Sequence, residues 1–392
     1  MTDTATTNTA TTVGWDIGGA HVKAALLRDG RLEAVRQWPC ALWQGIHLLD
    51  GVLDDALAGW RLPRSGGAGG GSGSGGGGSS GGGGVGSGGR NDRAEPGAAT
   101  HAVTMTGEMV DWFDNRRDGV ERLARHLELR LGSGMRLFCG SGEWIAADEA
   151  GGRWRELASA NWSATARLVA SRLGGGNARA ILVDIGSTTT DLIPLAADRV
   201  LAGGTTDAQR LHSGELLYHG AVRTPLCALV RRIDFRGAGY NVMNEWFATT
   251  ADVYRLTGEL DEAHDQHPTS DGGSKDLAGS CRRIARMIGH DAADAGVDEW
   301  IGFAKAWRLR QLELLAAELL RVESGVLESG GPSARLIGAG CGSFLVRALA
   351  QRLGREHVSF DDLVDAPATL RGWAGVCAPA VAVAMLRAQD IG

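Results

Sequence analysis

The sequence predicts an α/β protein made of two similar lobes that face each other across a cleft. Three observations carry this. Residues 181–200 (ILVDIGSTTTDLIPLAADRV) align without a gap on 13–32 (VGWDIGGAHVKAALLRDGRL), so that Asp184, Ile185 and Gly186 fall on Asp16, Ile17 and Gly18, and Asp191 falls on Lys23. Both stretches read as strand, glycine or hydroxyl turn, strand, tight turn, strand, with Asp29-Gly30 as the hairpin signal of the first. A late apolar strand at 335–342 (RLIGAGCG) enters a third glycine turn ahead of a helix. A chain of 392 residues has room for two substantial cores, and a repeated strand–loop–hairpin unit is what two opposed halves would leave in it.

The elements follow in order. Residues 1–12 are rich in Thr and Ala, lack the basic start and apolar core of a signal peptide, and are expected to form a disordered tail. The first lobe is expected over 13–175. After its hairpin, 48–60 (LLDGVLDDALAGW) has apolar residues at helical spacing. The stretch 65–89 is nearly pure Gly and Ser, with nothing to bury, so 65–97 is expected as a flexible insertion. A strand at 101–105, a helix over 108–131, a strand at 135–139 and a helix over 161–173 follow. The second lobe is expected over 176–392 and opens with the repeat. Helices over 244–260, 277–289 and 301–322 form a helical insertion at about 240–325, interrupted by the polar stretch 261–275. A helix at 343–353, a strand at 358–360 and an Ala/Val-rich helix around 376–386 complete it.

Composition removes several function classes. A net charge of −6 argues against a nucleic-acid or anionic-membrane partner, so phosphate recognition has to be local. Six scattered cysteines, with no CxxC pair, fit reduced thiols in a cytoplasm and give no zinc or disulfide framework. No apolar run reaches the roughly 18–20 residues of a membrane span. A soluble cytoplasmic protein acting on small molecules is the expectation.

The two D-x-G turns carry the chemistry. Glycines such as Gly18, Gly19 and Gly186 let backbone N–H groups approach an anion, and an aspartate at a strand end can hold hydrated Mg²⁺. Lys23 supplies a cation to the first loop; Ser187, Thr188, Thr189 and Asp191 belong to the second. Alone, DxGG reads as a tight turn with an exposed aspartate; repeated, it places Asp16 and Asp184 at one phosphate or metal. Gly338, Gly340 and Gly342 are candidate ligand contacts, although no acidic residue about 20 positions on completes a dinucleotide fingerprint. Arg223, beside Thr224-Pro225, is a candidate second anion contact. Both strands of 101–105 and 135–139 run out into a glycine and a glutamate, which makes Glu108, Asp111 and Glu143 candidate acid/base groups; each also reads as a cap or a solvated side chain. His264 and His267, with Asp261 and Asp265, sit in a loop and read as solvated side chains rather than a metal cluster.

The order DIGGAHVK, DIGSTTTD, IGAGCG resembles the actin–hexokinase–Hsp70 superfamily. Within it, VGWDIGGAHVKAA, TMTGEM, ASANW, SGELLYHGAVRTP, FATTADVYRLTGEL, GAGCGSFL and CAPAVAVA are most similar to the hydantoinase/oxoprolinase-related branch, and there to proteins of the tetrahydromethanopterin-linked one-carbon pathway. The resemblance implies two duplicated actin/hexokinase-like (ribonuclease H-like) lobes around a central cleft. It also implies a transferase of methylofuran biosynthesis. Such an enzyme condenses an (aminomethyl)furanmethyl diphosphate with the phenol of a γ-glutamyl-tyramine or -tyrosine and releases pyrophosphate. Mg²⁺ near Asp16 and Asp184 would neutralise the leaving group, and Glu108 or Asp111 would take the phenol proton. The rival is an ATP-dependent kinase or oxoprolinase-like hydrolase of the same fold, with ATP in the cleft; a third reading is a non-catalytic nucleotide sensor. Ala20-His21 stands where sugar-kinase loops commonly have Thr, which speaks against simple kinase chemistry.

Overall fold

A computed structural model of the chain describes residues 10–63, 99–174, 178–326 and 333–391. The expected insertion at 65–97 lies outside the described residues, as does most of the expected tail. Thr11 and Thr12, placed in that tail, belong instead to the first strand, where they pair with Arg28 and Leu27.

One sheet contains β1 (Thr11–Ile17), β2 (His21–Arg28), β3 (Arg31–Pro39), β4 (Thr100–Met105), β5 (Arg136–Phe138) and β6 (Trp144–Ile145), in the order β3-β2-β1-β4-β5-β6. The first three form an antiparallel meander; β4 then pairs parallel to β1, and β5 parallel to β4. The second sheet repeats the path with β7 (Arg179–Ile185), β8 (Thr190–Ala196), β9 (Arg199–Val200) and β10 (Leu216–Leu217). Strands β11 (Arg232–Phe235) and β12 (Ala238–Asn241) make a separate hairpin, and β13 (Arg335–Ala339) and β14 (His357–Ser359) complete the order β10-β8-β7-β13-β14, with β9 on β8. Here β7 is antiparallel to β8 and parallel to β13, as β1 is to β2 and β4. The second sheet thus repeats the path of the first, the duplication into two similar halves that the repeat foretold. Residue by residue the repeat keeps register: Asp16 stands opposite Lys23, and Asp184 opposite Asp191.

Continuous apolar runs in β1 and β7 reflect burial on both faces. The helices Leu48–Gly59 and Arg116–Leu131 cover one face of the first sheet. Between the sheets the lobes exchange helices. The closing helix Ala378–Ile391, assigned by chain position to the second lobe, packs on β1, β2 and β4. Helix Asn161–Ser171, assigned to the first, packs on β8, β9 and the closing helix. The exchange depends on small residues, because Gly14 of β1 lies directly against the backbone of Ala380 and Ala384.

Helices Thr250–Thr257, Leu277–Arg286 and Val297–Val326 form the helical insertion. The helix expected over 244–260 starts only at Thr250. Asp252 Oδ2 there accepts from the Thr249 amide at 3.1 Å, and Gly258 ends it in the left-handed region (φ 72°). Likewise the helix expected from residue 108 begins at Arg116. Its cap is Asn115, whose Oδ1 accepts from the Asp118 amide at 3.1 Å; Gly107–Met109 is a separate 3₁₀ turn. No helix among the described residues is long and apolar enough to cross a membrane.

Candidate active-site cleft

The β1–β2 and β7–β8 loops line one cavity of about 470 Å³ between the lobes. Both loops are closed by their own backbone. The Gly18 N–H donates to the His21 carbonyl and the Gly186 N–H to the Thr189 carbonyl, each at 2.9 Å. Those two amides, expected to face an anion, are therefore committed to the turns, and an anion is left to the loop tips: Gly19, Ala20, Ser187 and Thr188. The second loop is further gripped from both sides. Ala221 donates to the Gly186 carbonyl at 2.9 Å, and Gly342 to the Ile185 carbonyl at 2.8 Å. A Cβ on Gly220 would overlap Ser187, and one on Gly340 (φ 80°) would overlap the Ile185 carbonyl.

Asp16, Lys23, Ser187, Thr188, Thr189, Asp191 and Arg223 all line this cavity. Lys23 Nζ lies 3.9 Å from Asp16 Oδ2. Burial opposes the Lys23 charge, but Asp16 and the surrounding acidic groups hold its pKa above the ordinary value. Burial pushes Asp184 up to about 7, with Asp191 adding and Lys23 opposing, and it raises Asp16 and Asp191 as well. Asp16 and Asp191 line the cavity, and Asp184, which does not line it, stands behind the second loop beside Gly340. The cleft and its floor therefore hold carboxyl groups whose ionisation is incompletely compensated, an environment that favours an added cation. No group of three or more His, Cys, Asp or Glu side chains among the described residues is arranged to hold a metal alone. Mg²⁺ asks for less, commonly one or two carboxylates with waters and substrate phosphates. Asp16, 4% exposed, has a buried Oδ1 without a hydrogen-bond partner, so its donor set fits such an ion.

The far wall was not read from sequence. Arg210, 1% exposed, binds Asp191 Oδ1 at 2.8 Å, donates to the Glu215 carbonyl at 3.1 Å and lies 4.0 Å from the Trp162 ring centroid. The nearest sequence signal was the polar run TTDAQRLHSGELLYH, in which nothing singles out Arg210. Ser159, in the left-handed region (φ 51°), directs its Oγ toward Glu108 Oε1 (2.9 Å) and Asp207 Oδ2 (3.1 Å). Asp207 is also paired with Arg116.

Glu108 and Asp111 separate clearly. Glu108 is 1% exposed and stands behind Ser159, with Oε2 unpartnered; burial raises it to about 7, against the pull of the Ser159 hydrogen bond and Arg116. Asp111 is exposed at the mouth of the cavity. Glu143 lies away from the cleft, paired with Arg153. Gly338 packs against Val346 and His357, while Gly340 and Gly342 back the second loop; none of the three lines the cavity.

Across the lobes, His21 and His267 meet with ring centroids 4.4 Å apart. Both Nε2 atoms are buried without partners. Burial together with neighbouring positive charge lowers the pKa values to about 3 and about 4. His267 is thus a half-buried interlobe contact rather than the solvated side chain expected in its loop. His264 instead abuts Trp373 edge-on.

A hydantoinase/oxoprolinase family model matches residues 99–390. A (4-{4-[2-(gamma-L-glutamylamino)ethyl]phenoxymethyl}furan-2-yl)methanamine synthase from Methanocaldococcus jannaschii is 35% identical over 214 residues, 55% of this chain and 64% of that protein. The synthase of the same name from Methanococcus vannielii is 37% identical over 142 residues, 36% of this chain and 64% of that protein. Each match takes in less than two thirds of the relative's length. Component A of (R)-2-hydroxyglutaryl-CoA dehydratase from Acidaminococcus fermentans superimposes over 97% of this chain and 98% of its own, with TM-score 0.45 and 11% identity.

Proposed function

Given that the chain belongs to the hydantoinase/oxoprolinase family, we propose that it is a diphosphate-releasing transferase of methylofuran biosynthesis, serving tetrahydromethanopterin-linked one-carbon metabolism. It joins an (aminomethyl)furanmethyl diphosphate to the phenol oxygen of a γ-glutamyl-tyramine or -tyrosine. The observation that carries the reading is that both phosphate-type loops, Lys23 and Arg223 line a single cavity. The name borne by the two methanogen relatives describes such a furan–phenol ether.

In the reaction the furfuryl C–O bond breaks with its electron pair leaving on pyrophosphate, the phenol oxygen bonds to the freed carbon, and the phenol gives up its proton. Lys23, Arg223, the Ser187–Thr189 hydroxyls and the loop-tip amides would hold the diphosphate and stabilise the charge that develops on it. Mg²⁺, when bound at Asp16 and Asp184, would add Lewis-acid neutralisation of the same oxygens. Ser159 links the cleft to Glu108, so the phenol proton can pass to a carboxylate whose affinity for it, raised by burial to about 7, suits a general base near neutral pH.

The test is a reaction of purified protein with Mg²⁺, the furanmethyl diphosphate and the γ-glutamylated phenol, followed by mass spectrometry. The aryl ether and pyrophosphate are expected in equal amounts without ATP. Product formed only with ATP, in step with ADP or free phosphate, would favour the kinase or hydrolase reading.

A further inference from the structure

A second cavity, of about 330 Å³, adjoins the loop cavity and shares Met109, Asp207 and Tyr218 with it. Its character differs. Trp154, Ala158, Ala208 and Leu211 contribute apolar walls, and no residue of either phosphate-type loop reaches it. Met109, Leu211 and Tyr218 on its rim are 46%, 48% and 53% exposed, so three large apolar side chains converge on a space that no part of the described chain fills. Two guanidinium groups line it. Arg116 is committed to Asp207. Arg155 rests 4.4 Å from the Trp154 ring centroid and has no carboxylate partner among the described residues. At the boundary with the loop cavity stands Asp207, hydrogen-bonded through Ser159 to Glu108.

We propose that this second cavity is the acceptor subsite, taking a phenol that carries a distal carboxylate. The ring lies among Met109, Leu211 and Tyr218, the hydroxyl points to Asp207 and Ser159 at the shared boundary, and the carboxylate pairs with Arg155. The chemistry of this occupant rests on the transferase reading, since the relatives' name describes a phenoxy ether with a γ-glutamylaminoethyl arm. The division of labour follows from the walls. The polar cavity reads a diphosphate, the apolar one reads a ring, and the two meet at Asp207, from which Ser159 leads to the buried Glu108. A guanidinium facing a carboxylate is a strong, geometrically specific partner.

Binding by the full-length protein tests the subsite without requiring turnover. Calorimetry is run with γ-glutamyltyramine and with p-cresol, which lacks the carboxylate, on the wild type, Arg155→Ala, Arg155→Glu and Leu211→Trp. Arg155→Ala is expected to weaken γ-glutamyltyramine by about tenfold, Arg155→Glu by more, and neither to change p-cresol. Leu211→Trp, filling the space, is expected to weaken both phenols. Thermal stabilisation by Mg²⁺–pyrophosphate should be the same in all four proteins, which also verifies folding. Unchanged γ-glutamyltyramine binding in the variants, or its displacement by pyrophosphate, would overturn the subsite. Equal loss for both phenols in Arg155→Ala would overturn the carboxylate assignment. Should no ether form in the transferase assay while this binding pattern holds, the subsite stands and the transferase reading falls.

Discussion

Asp191 occupies in the second lobe the place that Lys23 holds in the first, and it is paired with Arg210 at 2.8 Å. The duplicated loops therefore carry opposite charges at equivalent positions. One lobe presents a cation to the cleft; the other presents an anion backed by a guanidinium buried to 1% exposure.

That burial makes the Arg210 pair a stability element. Removing one partner of a buried ion pair costs about 3–5 kcal/mol, because it strands the other charge. Arg210→Ala is expected to lose stability of about this size in urea unfolding, with the contact to Trp162 lost as well. Combining Asp191→Leu with Arg210→Met should recover much of the loss, since neither charge is then left unpaired. A wild-type melting temperature in Arg210→Ala would contradict the pairing.

Asp16 and Asp184 should act together. Asp16→Asn and Asp184→Asn each preserve shape and are expected to leave the melting temperature close to wild type while lowering turnover by orders of magnitude. The Mg²⁺ concentration for half-maximal rate should rise in both. Near-wild-type turnover in the pair would reduce the repeat to a structural duplication.

What the sequence displayed and what it concealed divide along chain separation. The motif at 13–32 and its copy at 181–200 were legible because strand, turn and charged residue are adjacent, and strand register alone brings Asp16 to Lys23. Helix 343–353 was legible to the residue, since its apolar spacing and Gly354 cap are local. Ser159, Asp207 and Arg210 were not, because each reaches the cleft through contacts with residues tens of positions away. Their local strings read as ordinary polar turns. The exchange of helices between the lobes was equally hidden: an Ala/Val-rich helix states that it is buried, not against which sheet.

Glycines separate the two kinds of signal by experiment. A Cβ on Gly14 would overlap the Ala380 carbonyl and stand 2.7 Å from the Ala384 nitrogen, both backbone atoms of the closing helix. Gly14→Ala is expected to cost about 1–3 kcal/mol or more from overpacking. Gly51, in the exposed face of helix Leu48–Gly59, has open space around its Cβ. Gly51→Ala should therefore stabilise by about 0.5–1 kcal/mol through helix propensity. Chemical denaturation of the two variants reads both signs, and a neutral Gly14→Ala would mean that the closing helix does not sit on β1.

Glu108 links stability and activity to pH. Its carboxyl is raised from 4.5 to about 7, with burial as the leading cause. Between those values the folded protein holds a proton that the unfolded chain releases. Stability is therefore fully present below about pH 4.5 and is lost as pH rises through about 7, a difference of roughly 3 kcal/mol at about 1.4 kcal/mol per unit. Glu108→Gln keeps a neutral acceptor for Ser159 and removes the ionisation. The variant should match the wild type below about pH 4.5 and exceed its stability at pH 8, with the difference growing between about pH 4.5 and 7 and levelling off above that in urea titrations at stepped pH. Turnover should move the opposite way: without a base behind Ser159 it falls, and the rising limb of the pH–rate profile near 7 disappears. A variant that keeps both the wild-type limb and the wild-type pH dependence of stability would place the proton acceptor elsewhere, with the exposed Asp111 the next group to replace.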